Sequence, residues 1–177
     1  MNEKLPSREN AIKLLYGVGC SQNVVRHCIA VAELAVKIAK LASKKGVKVN
    51  QKLVEIGALL HDIGRAKTHT VHHAITGAEL AKKYGLSESI IQIIKRHVGG
   101  GISPQEAEKL GWPNDIYVPQ TMEEKIVSYA DKLIEGAKRV SIQHTITKMS
   151  KKIPEDSVKR MWKLHEEIMN IIGNLEC

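Results

Sequence analysis

The chain has 177 residues, a formal charge of +8 and a sequence pI near 9.4. With 43% hydrophobic and 26% charged residues it has the make-up of one ordinary water-soluble domain. Its apolar stretches fall short of the roughly 18 residues that mark a membrane span, and Met1-Asn2-Glu3-Lys4 lacks the basic start and apolar core of a signal peptide. A cytoplasmic protein with no membrane association is expected.

Two Trp, four Tyr and no Phe leave Ile, Leu, Val and Ala to build the core. The lysines are scattered pairs, such as Lys44-Lys45 and Lys151-Lys152. That dispersal fits a solvated surface, and no aromatics are interleaved as single-strand binders require, so a nucleic-acid partner is not expected. Cys20, Cys28 and Cys177 have no Cys-x-x-Cys spacing and read as free thiols.

Taken in order, the pattern is helical nearly throughout, so the expected class is all-α: a single helical bundle over 1–177, with a core at about 20–140. Ser7 caps a short first helix that Gly17 and Gly19 break. Ser21 caps a long one, with Val24, Val25, Cys28, Val31, Ala32, Ala35, Ile38 and Ala39 in helical period, closed by Lys44-Lys45-Gly46. Asn50 caps a third, which runs to His61-Asp62. Gly57 inside it costs about 1 kcal/mol relative to Ala and marks a close helix contact. A polar loop over 65–71 precedes a helix from about His73 to Tyr84, and Ser87 caps the next, which ends at His97.

Gly99-Gly100-Gly101 predicts a flexible joint. It follows a helix, so it does not read as a phosphate loop. Ser103-Pro104 opens a short helix, with proline at its first position. The segment 99–119 reads equally as a wall over a site or as an inert connection. Thr121 to Glu124 fits a capping box, and its helix carries Ile126, Val127, Ala130, Leu133, Ile134 and Ala137. Pro154 opens the last helix, whose Met161, Leu164, Ile168 and Ile171 make an apolar face suited to a homodimer.

Polar residues break the apolar runs at His27, at the doublet His61-Asp62, at His73, at His97 and at Asp131. Each alone has an ordinary explanation, such as a helix end or a salt bridge. Asp131 lies at or within an apolar stripe, and a carboxylate taken out of water needs a partner. Imidazole and carboxylate together suit first-row transition metals.

The order His27, His61-Asp62, Asp131 on successive helices resembles the HD superfamily of metal-dependent phosphohydrolases, and Leu60-His61-Asp62-Ile63-Gly64 its HDIG variety. His73-Ala74-Ile75-Thr76-Gly77-Ala78 and Arg96-His97 match members that hold two metals. The whole is similar to small archaeal-type stand-alone HDIG proteins and, more distantly, to bacterial HD hydrolases of dinucleoside polyphosphates. The resemblance implies one divalent ion on His27, His61, Asp62 and Asp131, and a second shared by Asp62 with His73 and His97. The ions would be Mn, Fe, Ni, Co or Mg.

It further implies hydrolysis of a nucleotide or other small phosphate ester by a metal-activated water, with Asp62 and Arg65 catalytic. Arg65 stands where the family often has lysine. Arg65, Lys67 and Arg96 are the expected substrate-binding residues, able to offset charge on phosphate. His69 and His72 read as a solvated loop, or else as substrate contacts, and His144 and His165 as surface residues. Two alternatives stand beside this reading: a di-iron oxygenase of HD type, and a non-catalytic module stabilised by metal.

Overall fold

The computed structural model describes residues 4–175. It is all-α apart from one small hairpin. The helices are α1 (Arg8–Gly17), α2 (Gln22–Lys44), α3 (Gln51–Leu60), α4 (His73–Lys83), α5 (Glu88–Arg96), α6 (Pro104–Lys109), α7 (Met122–Lys132), α8 (Ile142–Met149) and α9 (Glu155–Ile172). The hairpin pairs β1 (Ile134–Glu135) antiparallel with β2 (Lys138–Arg139). A 3₁₀ turn at Ile63–Ala66 joins α3 to the loop before α4, where sequence reading places only a loop. Among the described residues, no helix is long and apolar enough to cross a membrane.

The cap residues explain most helix starts. Ser7, Ser21, Asn50, Ser103 and Thr121 each accept a backbone N–H three residues on, satisfying a donor the helix leaves open. The full reciprocal capping box is at Ser103 and Glu106. At Thr121 only half forms, because the Glu124 carboxylate turns away to Gln120 N–H and Arg96.

The apolar stripe of α2 packs against α3 and α7, which places it at the centre of the bundle. Its buried face is Val, Ala, Cys and Ile, small enough for close helix approach. Gly57 marks a close contact, as expected: a Cβ there would lie 2.4 Å from Ile93 Cδ1 of α5. Gly64 is tighter still, since its Cβ would stand 1.9 Å from the His73 carbonyl oxygen. Gly77 of α4 faces Gly64, so the two glycines let α4 lie directly on the 3₁₀ turn.

Several expectations change. The Asp131 helix stops at Lys132 and does not reach Ala137, because the chain reverses into the hairpin at Gly136, whose φ is +61°. Gly100 is pressed against the α9 backbone, 2.6 Å from Met161 N to a built Cβ, so the glycine triplet is a packed joint and not a flexible one. Met161, Leu164 and Ile168 are buried within the chain, where α9 meets α7 and α2. Those three side chains are packed internally, while Ile171, the fourth residue of the expected face, is half-buried. Cys20 and Cys28 are buried free thiols; Cys177 lies outside the described residues.

Arg160 of α9 and Glu106 of α6 tie the two helices together. Glu106 also accepts from Ser157 Oγ at 2.5 Å and from Ser103 N–H at 2.6 Å. Burial opposes the charge, but Arg160 and Ser157 outweigh it and bring the carboxyl from 4.5 to about 2. A carboxyl held low gives stability that is complete above pH 4.5 and is lost as pH falls from there toward 2. Glu106→Gln should therefore lower the unfolding free energy at pH 7 by about 1.5–3 kcal/mol. In urea titrations the gap from the parent should close toward pH 2; a constant gap would contradict this account. Gly64→Ala should cost about 3 kcal/mol or more by overpacking, read as a fall in Tm, whereas an unchanged Tm would show that the contact yields.

Candidate metal centre

Six side chains converge from five segments. His27 comes from the second turn of α2. His61 and Asp62 follow the end of α3, where the chain leaves the helix and two adjacent side chains turn to the same place. His73 starts α4, His97 caps the end of α5, and Asp131 is the penultimate residue of α7.

His27 Nε2 is 3.0 Å from Asp131 Oδ1 and 3.9 Å from Asp62 Oδ2. His61 Nε2 is 3.3 Å from Asp131 Oδ1 and 3.7 Å from Asp62 Oδ2. On the other side, Asp62 Oδ1 is 3.1 Å from His73 Nε2 and 3.4 Å from His97 Nε2. The Asp62 carboxylate therefore stands between two clusters, one oxygen to each.

The outer nitrogens fix the tautomers. Nδ1 of His61, His73 and His97 each lies 2.7 Å from a backbone carbonyl, of Ala58, Thr70 and Ile94. Nδ1 of His27 lies 2.8 Å from the Gly136 carbonyl in the hairpin. A carbonyl only accepts, so all four Nδ1 atoms carry hydrogen and all four Nε2 lone pairs point inward. His73 Nε2 and His97 Nε2 then face each other at 3.0 Å as two acceptors. His61 Nε2 and Asp62 Oδ1 are buried and make no hydrogen bond. Such an arrangement is costly unless a cation sits within it.

The electrostatics agree. Burial opposes charge on Asp62, but His61, then His73 and His97, hold its carboxyl well below the usual range. Burial likewise opposes charge on Asp131, and Lys132, then His27 and His61, outweigh it. Burial pushes His97 down to about 4, favouring a neutral ring. For His61, burial is outweighed by the Asp62 charge and the nearby Asp131 carboxylate, and its pKa rises well above 6.5. The proton it would hold belongs on Nε2, so proton and metal compete for one lone pair. Among the described residues, two groups of side chains present ligand atoms close enough to hold an ion: His27, His61 and Asp131, and His61, Asp62 and His97.

The expected substrate residues divide. Arg65 lines an open cavity of about 390 Å³ together with His73, His97 and Asp131, and its Nε donates to Asp62 Oδ2 at 2.7 Å. Lys67 is exposed and is absent from the cavity wall. Arg96 is elsewhere too: its Nη1 meets both oxygens of the buried Glu124 at 3.0 and 3.1 Å, and its Nε the Ile116 carbonyl. The ion pair locks α5 to α7 and uses the guanidinium internally.

His69 is exposed and offers Arg65 its carbonyl; His72 accepts from Trp112 Nε1 at 2.9 Å. The segment 99–119 contributes only Gly99 to the cavity wall and otherwise packs through Trp112 and Tyr117 against Ala74. His165 is half-buried and shares a hydrogen with Tyr129 OH at 2.7 Å, not a free surface residue. His144 is exposed but lines the cavity.

Sequence reading missed the outer wall. Hairpin residues and α8, with His144, Thr145, Lys148 and Met149, face the four inner residues across the cavity. Lys132 was also missed; it is buried beside Asp131. The available signals were Gly136 as a turn and Ser141 as a cap before Ile142 and Ile146.

These residues and this helical frame define a protein of HD type, and the chain belongs to the HD domain family, which matches residues 24–136. It is 45% identical to the Methanocaldococcus jannaschii protein MJ0778, covering 93% of this chain and 98% of that one. It is 41% identical to a tRNA (cytidine(56)-2'-O)-methyltransferase of Thermoplasma volcanium over 96% of this chain, and it spans 48% of that protein's length. Its fold is that of the HD domain of the L. monocytogenes phosphodiesterase PgpH, solved in complex with cyclic-di-AMP: TM-score 0.57, 18% identity, 95% of this chain and 99% of that one.

A thermal scan checks the fit of cations to this cluster. Chelation should lower Tm, and Mn restored to 100 times its Kd should return about 2.7 kcal/mol. No change in Tm with Mn, Fe, Co or Ni would count against metal at these side chains.

Proposed function

We propose that this chain is a metal-dependent phosphohydrolase that acts on a nucleotide or other small phosphate ester. The observation that carries the reading is the set of four inward Nε2 lone pairs and two ionised carboxylates, facing an open cavity that also holds cationic side chains. One divalent ion would be held by His27, His61, Asp62 Oδ2 and Asp131 Oδ1. A second would be held by Asp62 Oδ1, His73 and His97. Ions bound there would acidify a water and polarise a phosphoryl oxygen.

The chain's own residues supply the rest. The four carbonyls that hold the Nδ1 atoms keep each ring aimed before any ligand arrives, so little reorganisation remains for the reaction itself. Asp62 keeps the two halves at a fixed separation. Arg65 Nε holds Asp62 Oδ2, one terminal nitrogen reaches the His69 carbonyl at 3.3 Å, and the guanidinium edge that remains lines the cavity. Planar and always charged, that edge suits the oxygens of a phosphoryl group.

The cavity falls within the range of about 300–1,000 Å³ found for small-molecule sites. That PgpH is a phosphodiesterase whose HD domain holds cyclic-di-AMP supports the phosphorus–oxygen bond as the one cleaved.

The test is a screen of nucleoside mono-, di-, cyclic and dinucleoside phosphates with Mn, Fe, Co, Ni or Mg. Turnover should depend on added metal. Asp62→Ala should reduce it to background with the helical circular dichroism intact, and Arg65→Ala should lower kcat about 10²-fold. A fully metal-loaded protein that releases nothing from any of these would sink the reading. Global unfolding of Asp62→Ala would instead favour a structural metal.

A further inference from the structure

Resting on that reading, we propose that Lys132 contacts the phosphoryl group of the substrate and is a second cationic residue of the reaction beside Arg65. Lys132 ends α7, one position after Asp131, and its side chain is only 7% exposed. Its Nζ donates to Asp131 Oδ2 and, at 3.2 Å, to the His97 carbonyl. An ammonium has three hydrogens, so two such bonds leave one for the cavity that Lys132 lines.

The two bonds that Lys132 makes do not exhaust it. The His97 carbonyl also lies 3.1 Å from Ser128 Oγ, whose single hydrogen is shared with the Gly99 carbonyl at the same distance. Asp131 Oδ1 faces His27 and His61, where a divalent ion would neutralise the same carboxylate.

The charges point the same way. Asp62 and Asp131 balance Arg65 and Lys132 one for one. Any divalent ion in the cluster then leaves the centre with surplus positive charge. Burying that surplus is unfavourable without an anion, and Lys132 and Arg65 lie on the wall where that anion would enter. Arg65 is anchored on the Asp62 oxygen that also faces His27 and His61, and Lys132 on the Asp131 oxygen that turns away from them, so each carboxylate of the centre carries one cation.

The experiment uses the Mn-loaded full chain and inorganic phosphate as probe. Lys132→Met keeps the length of the apolar stem and removes the charge. It should retain parental Mn content while calorimetry shows phosphate affinity weakened at least about tenfold, and kcat on any ester turned over should fall about 10²-fold. Lys132→Arg should recover part of the phosphate affinity.

Where Lys132→Met does not fold, Lys132→Gln replaces it: the amide keeps contacts to Asp131 and His97 without charge, and the same losses are expected. Unchanged phosphate affinity in either variant overturns the proposal, as does a parental protein that binds no phosphate. So does a loss of Mn content and phosphate binding that excess Mn reverses together, which would make Lys132 a residue that only positions Asp131. A parental protein that binds phosphate through Lys132 yet hydrolyses no ester would sustain the phosphate contact, overturn the role of Lys132 in a reaction and defeat the phosphohydrolase reading.

Discussion

The arrangement depends on one carboxylate. Asp62 sends Oδ2 toward His27 and His61 and Oδ1 toward His73 and His97. Without it there are two unrelated histidine pairs about an apolar bundle. With it, four rings and a second carboxylate share a single electrostatic problem: lone pairs and negative charge gathered in a largely buried space beside an open cavity. Asp62 is 3% exposed, and a carboxylate that deep persists only where positive charge is supplied. Arg65 supplies some from the rim. Lys132 does the same for Asp131, and the inward ring nitrogens remain to be satisfied from within the cluster.

The bundle serves this by fixing where helices stop. His61 and Asp62 are adjacent and would point apart inside a helix; leaving α3 for a 3₁₀ turn lets both face inward. His97 sits at the end of α5 and His73 at the start of α4, and in both places the ring's outer nitrogen finds a carbonyl in the adjacent turn of its own chain. His27 is different. Its carbonyl is Gly136, more than a hundred positions away, so the hairpin after α7 aims a ring on α2. Arg96 and Glu124 then hold α5 against α7, one guanidinium nitrogen donating to both carboxylate oxygens, so that His97 and Asp131 keep their relative places.

Much of this was legible in the sequence. Helical periods and Ser, Thr and Asn caps gave the elements, because each is a local preference satisfied locally. The six inward side chains were legible through the family resemblance that their order carries, since each alone has an ordinary explanation. What was not legible is what depends on distant partners. Arg96 looks like a phosphate-binding residue until Glu124 is seen to occupy it. Met161, Leu164 and Ile168 look exposed on the last helix until α7 and α2 are seen to cover them. The Asp131 helix seemed to continue to Ala137 because Ile134 and Ala137 keep its period, while Gly136 and the pairing of Ile134 with Arg139 determine otherwise. Lys132 was hidden by proximity, since the residue after a conspicuous aspartate reads as an ordinary surface lysine.

The mutual contact of Gly64 and Gly77 bears on how relatives of this chain should be interpreted. The glycine of His-Asp-Ile-Gly and the glycine of His-x-x-x-Gly-Ala are there for steric reasons, each granting the other room. They are under selection as long as the bundle folds, whether or not the histidines still bind anything. A descendant that had lost its chemistry would keep both glycines and shed the imidazoles. Inheritance of the scaffold and inheritance of the activity are thus recorded at different letters of the same two short strings.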